Sequence, residues 1–193
     1  MEVSPPAAAN VRRRHPEAHF LLVGPSDEKS LDRLAPHQLA ELTRAVNWPG
    51  PRSDVPQVLA ASDVFVLPTF YREGIPRVLL EAASMGLPLV TARSPGCGEV
   101  VEEGVNGHLV PARDAAALAA AVARLVVDAG ARSRFGAESR RRAVARFDLS
   151  VVAARTRSIY RDLLARRAVP AAGPCGAGPR PSWAVLTSEA LPV

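Results

Sequence analysis

The sequence predicts an α/β fold, a doubly wound parallel sheet with helices on both faces. Three observations carry this. Short apolar, β-branched runs mark strands buried on both sides. Segments with helical character separate those runs. The 193 residues, 48% hydrophobic and 22% charged, are enough for one ordinary domain with a real core. Collagen-like, coiled-coil and wholly disordered chains are excluded by that balance. No apolar run approaches the roughly 18 residues that a membrane-spanning helix needs. The opening Met1-Glu2-Val3-Ser4-Pro5-Pro6 lacks the basic and apolar regions of a signal peptide, so a cytoplasmic location is expected.

Each element has its own justification. His19-Phe20-Leu21-Leu22-Val23 is a compact strand pattern stopped by Gly24-Pro25. A polar loop from Ser26 to Leu34 precedes a helical stretch from about Pro36 to Ala45. Val55–Ala61 reads as a short helix and Asp63–Leu67 as a strand. Pro76–Met85 reads as a helix, with proline in its first turn and Gly86 as its stop. Leu87–Thr91 is a strand, followed by a Gly/Pro loop and a strand at Gly107–Val110. Asp114 opens a helix running through Ala129, and two more helices are expected at about 131–146 and 149–167. The domain therefore covers 1–167. Residues 168–193, rich in Pro, Gly and Ala, are expected to be a disordered tail.

Charge and reactive residues exclude several chemistries. Residues 130–167 carry eleven arginines against Glu138, Asp148 and Asp162, an excess of +8, whereas residues 1–129 carry −3. The basic helices read as a solvated face or as a dock for an anionic membrane surface. With 5% aromatics and no reading module, nucleic acid is not an expected partner. Cys97 and Cys175 cannot form a disulfide scaffold or a zinc site alone. The four histidines form no metal-ligand pattern, and Lys29 is the only lysine, in a polar loop.

In a doubly wound sheet, ligands bind outside the carboxyl ends of the strands. Four loops lie there, after Val23, around Gly50–Val55, after Leu67 and after Thr91. The third reads Pro68-Thr-Phe-Tyr-Arg-Glu73-Gly-Ile-Pro-Arg-Val-Leu-Leu-Glu81, with seven residues between the two glutamates. Glu73 precedes the helix and Glu81 lies within it, so both can face one cleft from different heights. Between them the helix N-terminus offers unpaired amides and a positive dipole end to phosphate or sugar oxygens. Gly74 lets a ligand approach the backbone, and Pro76 removes a donor the helix could not have used. Carboxylates accept paired hydrogen bonds from vicinal diols, which sugars and ribose both present. A nucleotide-sugar has sugar, diphosphate and ribose in that order. On spacing alone, an ordinary solvated helix residue at Glu81 and a dipole-favoured charge at Glu73 fit as well.

The surrounding residues decide for the first reading. This stretch, with Asp63-Val-Phe-Val-Leu-Pro before it and Glu81-Ala-Ala-Ser-Met-Gly-Leu-Pro-Leu-Val after it, resembles the retaining group-1 (family 4) glycosyltransferases. The resemblance runs from about Val11 to Leu164. It includes Phe20-Leu-Leu-Val-Gly, Pro49-Gly-Pro-Arg-Ser-Asp-Val-Pro and Gly104-Val-Asn-Gly-His-Leu-Val-Pro. Pro95-Gly-Cys97 and Tyr71–Glu81 look like the branch acting on polyprenyl-diphosphate-linked glycans.

The resemblance implies a Rossmann-like, donor-binding domain, one of two in such enzymes. Glu73 would position the donor sugar as the catalytic residue, and Glu81 would bind the ribose. The backbone of Gly74, Ile75, Pro76, Arg77 and Val78 forms the implied donor-binding segment, with Gly24 in the first loop and Arg52 beside the base. It implies transfer with retention, a nucleotide-diphosphate sugar as substrate, no metal or other cofactor, and a glycan or lipid-linked acceptor. Candidate partners are a separate acceptor-domain chain and the inner membrane face.

Departures from the pattern are also visible. The first βα unit, which would bring a glycine-rich turn plus an arginine and a lysine to the diphosphate, is not matched. Arg12, Arg13 and Arg14 lie where its helix would end and read as cations complementing a helix C-terminus. Gly98 stands where the capsule-type branch often has arginine. Trp48 replaces an aliphatic strand end and reads as core packing, with base stacking as the alternative. Cys97 reads as a small loop residue and His108 as a packing or solvent-facing strand residue. A donor-binding enzyme module therefore leads, against a non-catalytic nucleotide-sugar-binding module or partner subunit.

Overall fold

A computed structural model describes residues 5–25, 43–70 and 74–167. Among these residues the chain runs α1 (Pro5–Arg14), β1 (Leu21–Val23), β2 (Asn47–Gly50), α2 (Val55–Ala60) and β3 (Phe65–Leu67). It continues with α3 (Arg77–Ser84), β4 (Leu89–Ala92), α4 (Pro95–Val100), β5 (Gly107–Val110), α5 (Ala115–Val127), α6 (Ala129–Phe147) and α7 (Leu149–Arg167). The described residues form two compact units, one running to Val152 and one from Ala153. The polar loop at 26–34, most of the helix expected at 36–45 and the tail at 168–193 lie outside the described residues.

All strand pairings are parallel. β3, β4 and β5 form a three-stranded sheet in that order, and β1 pairs with β2 in a second sheet. The larger sheet keeps regular register, Phe65 opposite Leu89 and Leu89 opposite Gly107. The smaller one slips between Leu21 and Val23. Pro49, within β2, lacks the amide a regular ladder requires, and only an edge strand tolerates that loss.

The expected covering of both faces is observed, and β4 shows why. Its neighbouring side chains point to opposite sides. Val90 joins α1 and α5 in one core with Val11, Val110, Leu118, Val122 and Leu125. Leu89 joins α3 and α4 in the other, with Leu79, Ala82, Cys97 and Val100. All four β4 residues are buried.

The expected elements shift modestly. Asp128 divides the long helical run: it ends α5 and caps α6, accepting from the Ala131 amide at 2.7 Å. Asp114 caps α5 through the Ala117 amide at 2.8 Å. Gly86 ends α3 at φ 76°, with the Gly86 and Leu87 amides returning to the carbonyls of Ala83 and Ala82.

One expectation is corrected. The Gly/Pro loop after β4 contains helix α4, so Cys97 is a helical residue. Glycine-rich composition argued for a loop, but packing holds these six residues in a helix. Gly96, Cys97 and Val100 are buried in it, which offsets poor intrinsic propensity.

Two glycines permit close approach. A Cβ on Gly107 would lie 2.0 Å from the Leu89 carbonyl oxygen, and one on Gly136 would lie 2.2 Å from that of Gly86. The second contact seats α6 on the end of α3. Asn106 and Ser139, both fully buried, fasten the same region. Asn106 donates from Nδ2 to the Val100 carbonyl at 3.1 Å and accepts from the Glu102 amide at 2.8 Å, while Ser139 Oγ donates to the Asn106 carbonyl at 3.2 Å.

Much of the basic excess on α6 has internal partners. Arg132 donates to the carbonyls of Leu125 and Val126, closing the end of α5, and Arg140 does the same for Ser84 at the end of α3. Arg141 and Arg142 flank Glu138, holding its carboxyl down at about 2, and Arg142 also reaches Glu102. Arg12 likewise serves a different helical end from its own, donating to the carbonyls of Arg44 and Ala45.

Candidate functional site

The carboxyl end of β3 leads through Pro68, Thr69 and Phe70 toward α3. Gly74 and Ile75 are exposed, and Pro76 is the extended residue that opens the helix (φ −64°, ψ 123°). Leu79 and Leu80 donate the first hydrogen bonds of the helix, to the Pro76 carbonyl at 3.1 and 3.4 Å. The Arg77 and Val78 amides precede that hydrogen-bonded turn and point out of the helix start, where the dipole favours an anion. No side chain caps this end.

Helix α3 buries Leu79, Ala82 and Ala83 and leaves Arg77 and Glu81 exposed. Burial of one stripe therefore orients Glu81 outward, on the same face as Arg77 one turn earlier. Glu73 lies outside the described residues, with Tyr71 and Arg72. Gly74 to Val78 and Glu81 thus form one continuous segment at the sheet's carboxyl edge. A Cβ on Gly74 would meet no atom within 4 Å, so nothing in the protein blocks approach there.

The other two predicted residues belong to the smaller sheet. Gly24 follows β1, donates its amide to the Gly50 carbonyl at 3.2 Å and accepts the Trp48 indole N–H at 2.9 Å. Trp48 is half-buried and stitches the two strand ends together. Arg52 pairs with Asp54 through two hydrogen bonds, one from Nε at 2.7 Å. This pairing holds the Asp54 carboxyl below its usual value and raises the Arg52 guanidinium. A guanidinium has five N–H donors, so donors remain beyond those two.

Three residues that sequence reasoning missed lie at this edge or support it. Thr91, fully buried at the end of β4, donates from Oγ1 to the Leu67 carbonyl at 2.8 Å and lies 3.2 Å from Cys97 Sγ. This ties the ends of β3 and β4 to α4, and the signal was a lone hydroxyl in an apolar strand. Arg113, in the turn after β5, places its guanidinium 4.2 Å from the centre of the Phe70 ring. Asn106 carries the Gly-Val-Asn-Gly motif through packing rather than chemistry. His108 is likewise structural. Its Nδ1 lies 2.8 Å from Glu103 Oε1, and its ring meets Phe135 edge-on at 5.5 Å. Burial pulls the Glu103 carboxyl upward, but His108 and the Leu109 amide outweigh it and leave that carboxyl below its usual value.

A cavity of about 500 Å³ lies elsewhere, along α1 between Ala9, Arg12, Arg13 and Arg44, and contains no predicted site residue. Among the described residues no group of three or more His, Cys, Asp or Glu could hold a metal ion, and no helix is long and apolar enough to cross a membrane. Cys97 is a free, buried thiol, and Cys175 lies outside the described residues.

The chain is similar in sequence and in fold to known proteins. Glycogen synthase of Mycobacterium tuberculosis is 34% identical over 156 residues, 80% of this chain and 37% of its own length. An N,N'-diacetylbacillosaminyl-diphospho-undecaprenol alpha-1,3-N-acetylgalactosaminyltransferase of Campylobacter jejuni is 30% identical over 148 residues, 75% of this chain and 37% of its own. The chain thus spans less than half the length of these relatives. Among solved structures, Anabaena HepE in complex with UDP and glucose superposes with a TM-score of 0.72 at 25% identity, covering 85% of this chain and 45% of that one. A family profile described as glycosyl transferases group 1 matches residues 4–128. The chain belongs to the group 1 glycosyl transferases.

Proposed function

We propose that this chain is the donor-binding part of a glycosyltransferase that moves a sugar from a nucleotide-diphosphate sugar to an acceptor with retention. The observation that carries the reading is the start of α3, where unpaired amides and the outward-facing Glu81 share one segment at the carboxyl edge of a doubly wound sheet. HepE, whose solved complex holds UDP and glucose, supports a nucleotide-sugar as the ligand.

In this reading the amides of Gly74, Ile75, Arg77 and Val78 meet the diphosphate and sugar, with Pro76 fixing the turn. Glu81 accepts hydrogen bonds from the ribose diol, and Glu73 accepts them from the sugar hydroxyls. Gly24 and Arg52 line the base side. Negative charge grows on the departing nucleoside diphosphate as the glycosidic bond breaks. Fixed amides aimed at that charge stabilise the transition state more than the ground state. No metal is assigned to the diphosphate, because the helix start supplies the positive potential.

The acceptor belongs to the proposal too. The name of the Campylobacter relative specifies an undecaprenol-diphosphate acceptor, and a lipid-linked glycan is the corresponding candidate here. Recognition of it is assigned to the part of the relatives' length that this chain does not span, with peripheral contact at the inner membrane face. The arginines and exposed Ile159, Leu163 and Leu164 of α7 suit such a surface.

Calorimetry with uridine, guanosine and adenosine diphosphate sugars tests the donor reading. Binding of at least one, unchanged by EDTA, is expected. Glu81→Ala should weaken it about tenfold, the effect of losing a charge-assisted pair of hydrogen bonds, without lowering the melting temperature. Absence of heat with every donor overturns the proposal.

A further inference from the structure

We propose that the seam between the two sheets is a docking slot for one further parallel β-strand, an uncharged apolar segment of a second polypeptide. Both sheets lie in the unit that runs to Val152. Their strands are all parallel, yet no ladder joins β1-β2 to β3-β4-β5. One helix nevertheless covers both. Ala7 and Val11 of α1 pack into the core that holds Val90, with Val64 and Val66 against it, and Ala8 packs into the core beside β2 with Ala45 and Val46. Phe20, just before β1, borders both cores, whereas Val46, just before β2, belongs only to the second. The two sheets are therefore parts of one layer beneath α1, interrupted between β1 and β3.

Hydrogen-bond directions give the edges of that interruption. In a strand the N–H and C=O of one residue point to the same side, and those of the next residue to the other. Phe20 and Gly24 bond to β2, through the Asn47 amide at 2.8 Å and the Gly50 carbonyl at 3.2 Å, so Leu21 and Val23 point away from it. The Phe65 amide reaches the Pro88 carbonyl beside β4 at 3.0 Å, so Val64 and Val66 point away from β4. Both edges thus offer backbone groups at the alternate spacing that a parallel strand bonds. Burial agrees. β4, with a partner on each side, is buried throughout, whereas every residue of β3 is half-buried and Leu21 is exposed. A six-stranded doubly wound sheet places its first strand at the centre, and β2, β1, β3, β4 and β5 fill the other positions in order. Leu21, Val23, Val64 and Val66 carry no charge, so the matching segment is apolar. More than half of each relative's length lies outside the part matched here, and the strand is assigned to polypeptide equivalent to that remainder. Its carboxyl end would emerge between Gly24 and Pro68, but the docking inference stands whatever ligand that edge takes.

Amide hydrogen exchange of the full chain, read by NMR, tests the slot. The probe is a capped, lysine-flanked peptide with a Val-Leu-Val-Val centre. In the chain alone, the Leu21, Val23, Val64 and Val66 amides should exchange faster than those of Phe65 and Leu67, which face β4. Peptide at about ten times its Kd should slow those four about tenfold and leave β5 unchanged. The same peptide with prolines in its centre should slow nothing, because it lacks the amides. Leu21→Pro removes an amide that points into the seam and none that holds β2. Its melting temperature should stay within about 4 °C of the parent's, while peptide affinity read at Val64 and Val66 falls about tenfold. Four amides already as slow as those of Phe65 and Leu67 overturn the proposal, and sedimentation as a dimer then assigns the slot to a second copy. No slowing at roughly 1 mM peptide overturns it too, as does a slowing that Leu21→Pro leaves intact, which places the peptide elsewhere.

Discussion

The three-stranded and two-stranded sheets are enclosed to different degrees. Every residue of β4 is buried, and helices from both faces close over it. In β1, by contrast, Leu21 is 49% exposed, and the β1–β2 register slips beside a proline. The enclosed sheet carries α3 and the amides at its start. The open one carries Gly24, hydrogen-bonded to Trp48 and Gly50 of the neighbouring strand, and Arg52, paired with Asp54 two residues on. Rigid packing thus supports the segment assigned to the diphosphate, while the residues assigned to the base depend on local contacts. The two demands differ, since transition-state charge needs preorganised donors and a base needs only a complementary surface.

The enclosed sheet has least room at Gly107. A methyl group there overlaps the Leu89 backbone at 2.0 Å, so Gly107→Ala should lose about 3 kcal/mol by chemical denaturation or fail to fold. The same change at Gly50, where a Cβ would meet nothing within 4 Å, faces only the strain of a φ of 87° and should cost about 1 kcal/mol. Paired leucines sharpen the contrast. Leu89→Ala, at a fully buried position, should cost about 3 kcal/mol and Leu21→Ala about 1 kcal/mol or less.

Asn106→Ala tests the polar fastening of α6 to the larger sheet. It leaves the Glu102 amide and the Val100 carbonyl without their partner, and should cost about 2 kcal/mol. The smallest effect concerns acid. Glu138 titrates at about 2 in the fold, against 4.5 as its ordinary value, because Arg141 and Arg142 stabilise its charge. The unfolded chain therefore takes up this proton first as pH falls. The contribution is complete above about pH 4.5 and is lost between there and about pH 2. Thermal melts should show Glu138→Gln flattening that part of the pH profile.

Much of this was legible in the sequence for a local reason. Apolar runs such as Phe65–Leu67, the stop at Gly86 and the cap at Asp114 act within a few residues, so composition and spacing reveal them. The amide-bearing start of α3 was legible in the same way from Pro76 and the apolar stripe behind it. Helix α4 was not, because its stability comes from burying Cys97 and Val100 against other elements rather than from its own glycine-rich residues. Trp48 was read as core, but its indole instead spans two strand ends. The arginines of α6 were read as surface charge, yet several close helix ends or pair with Glu138 and Glu102.

Local chemistry in the chain was thus enough to specify an α/β fold, a helix start suited to an anion and a glutamate within that helix. Which way Glu81 faces follows from the burial of Leu79, Ala82 and Ala83, and the bridge from Arg113 to Phe70 depends on β3 and β5 flanking the same strand. The pairing of Arg113 with Phe70 joins residues tens of positions apart. It arises only when the sheet assembles, because side-chain contacts at that separation have no local signal.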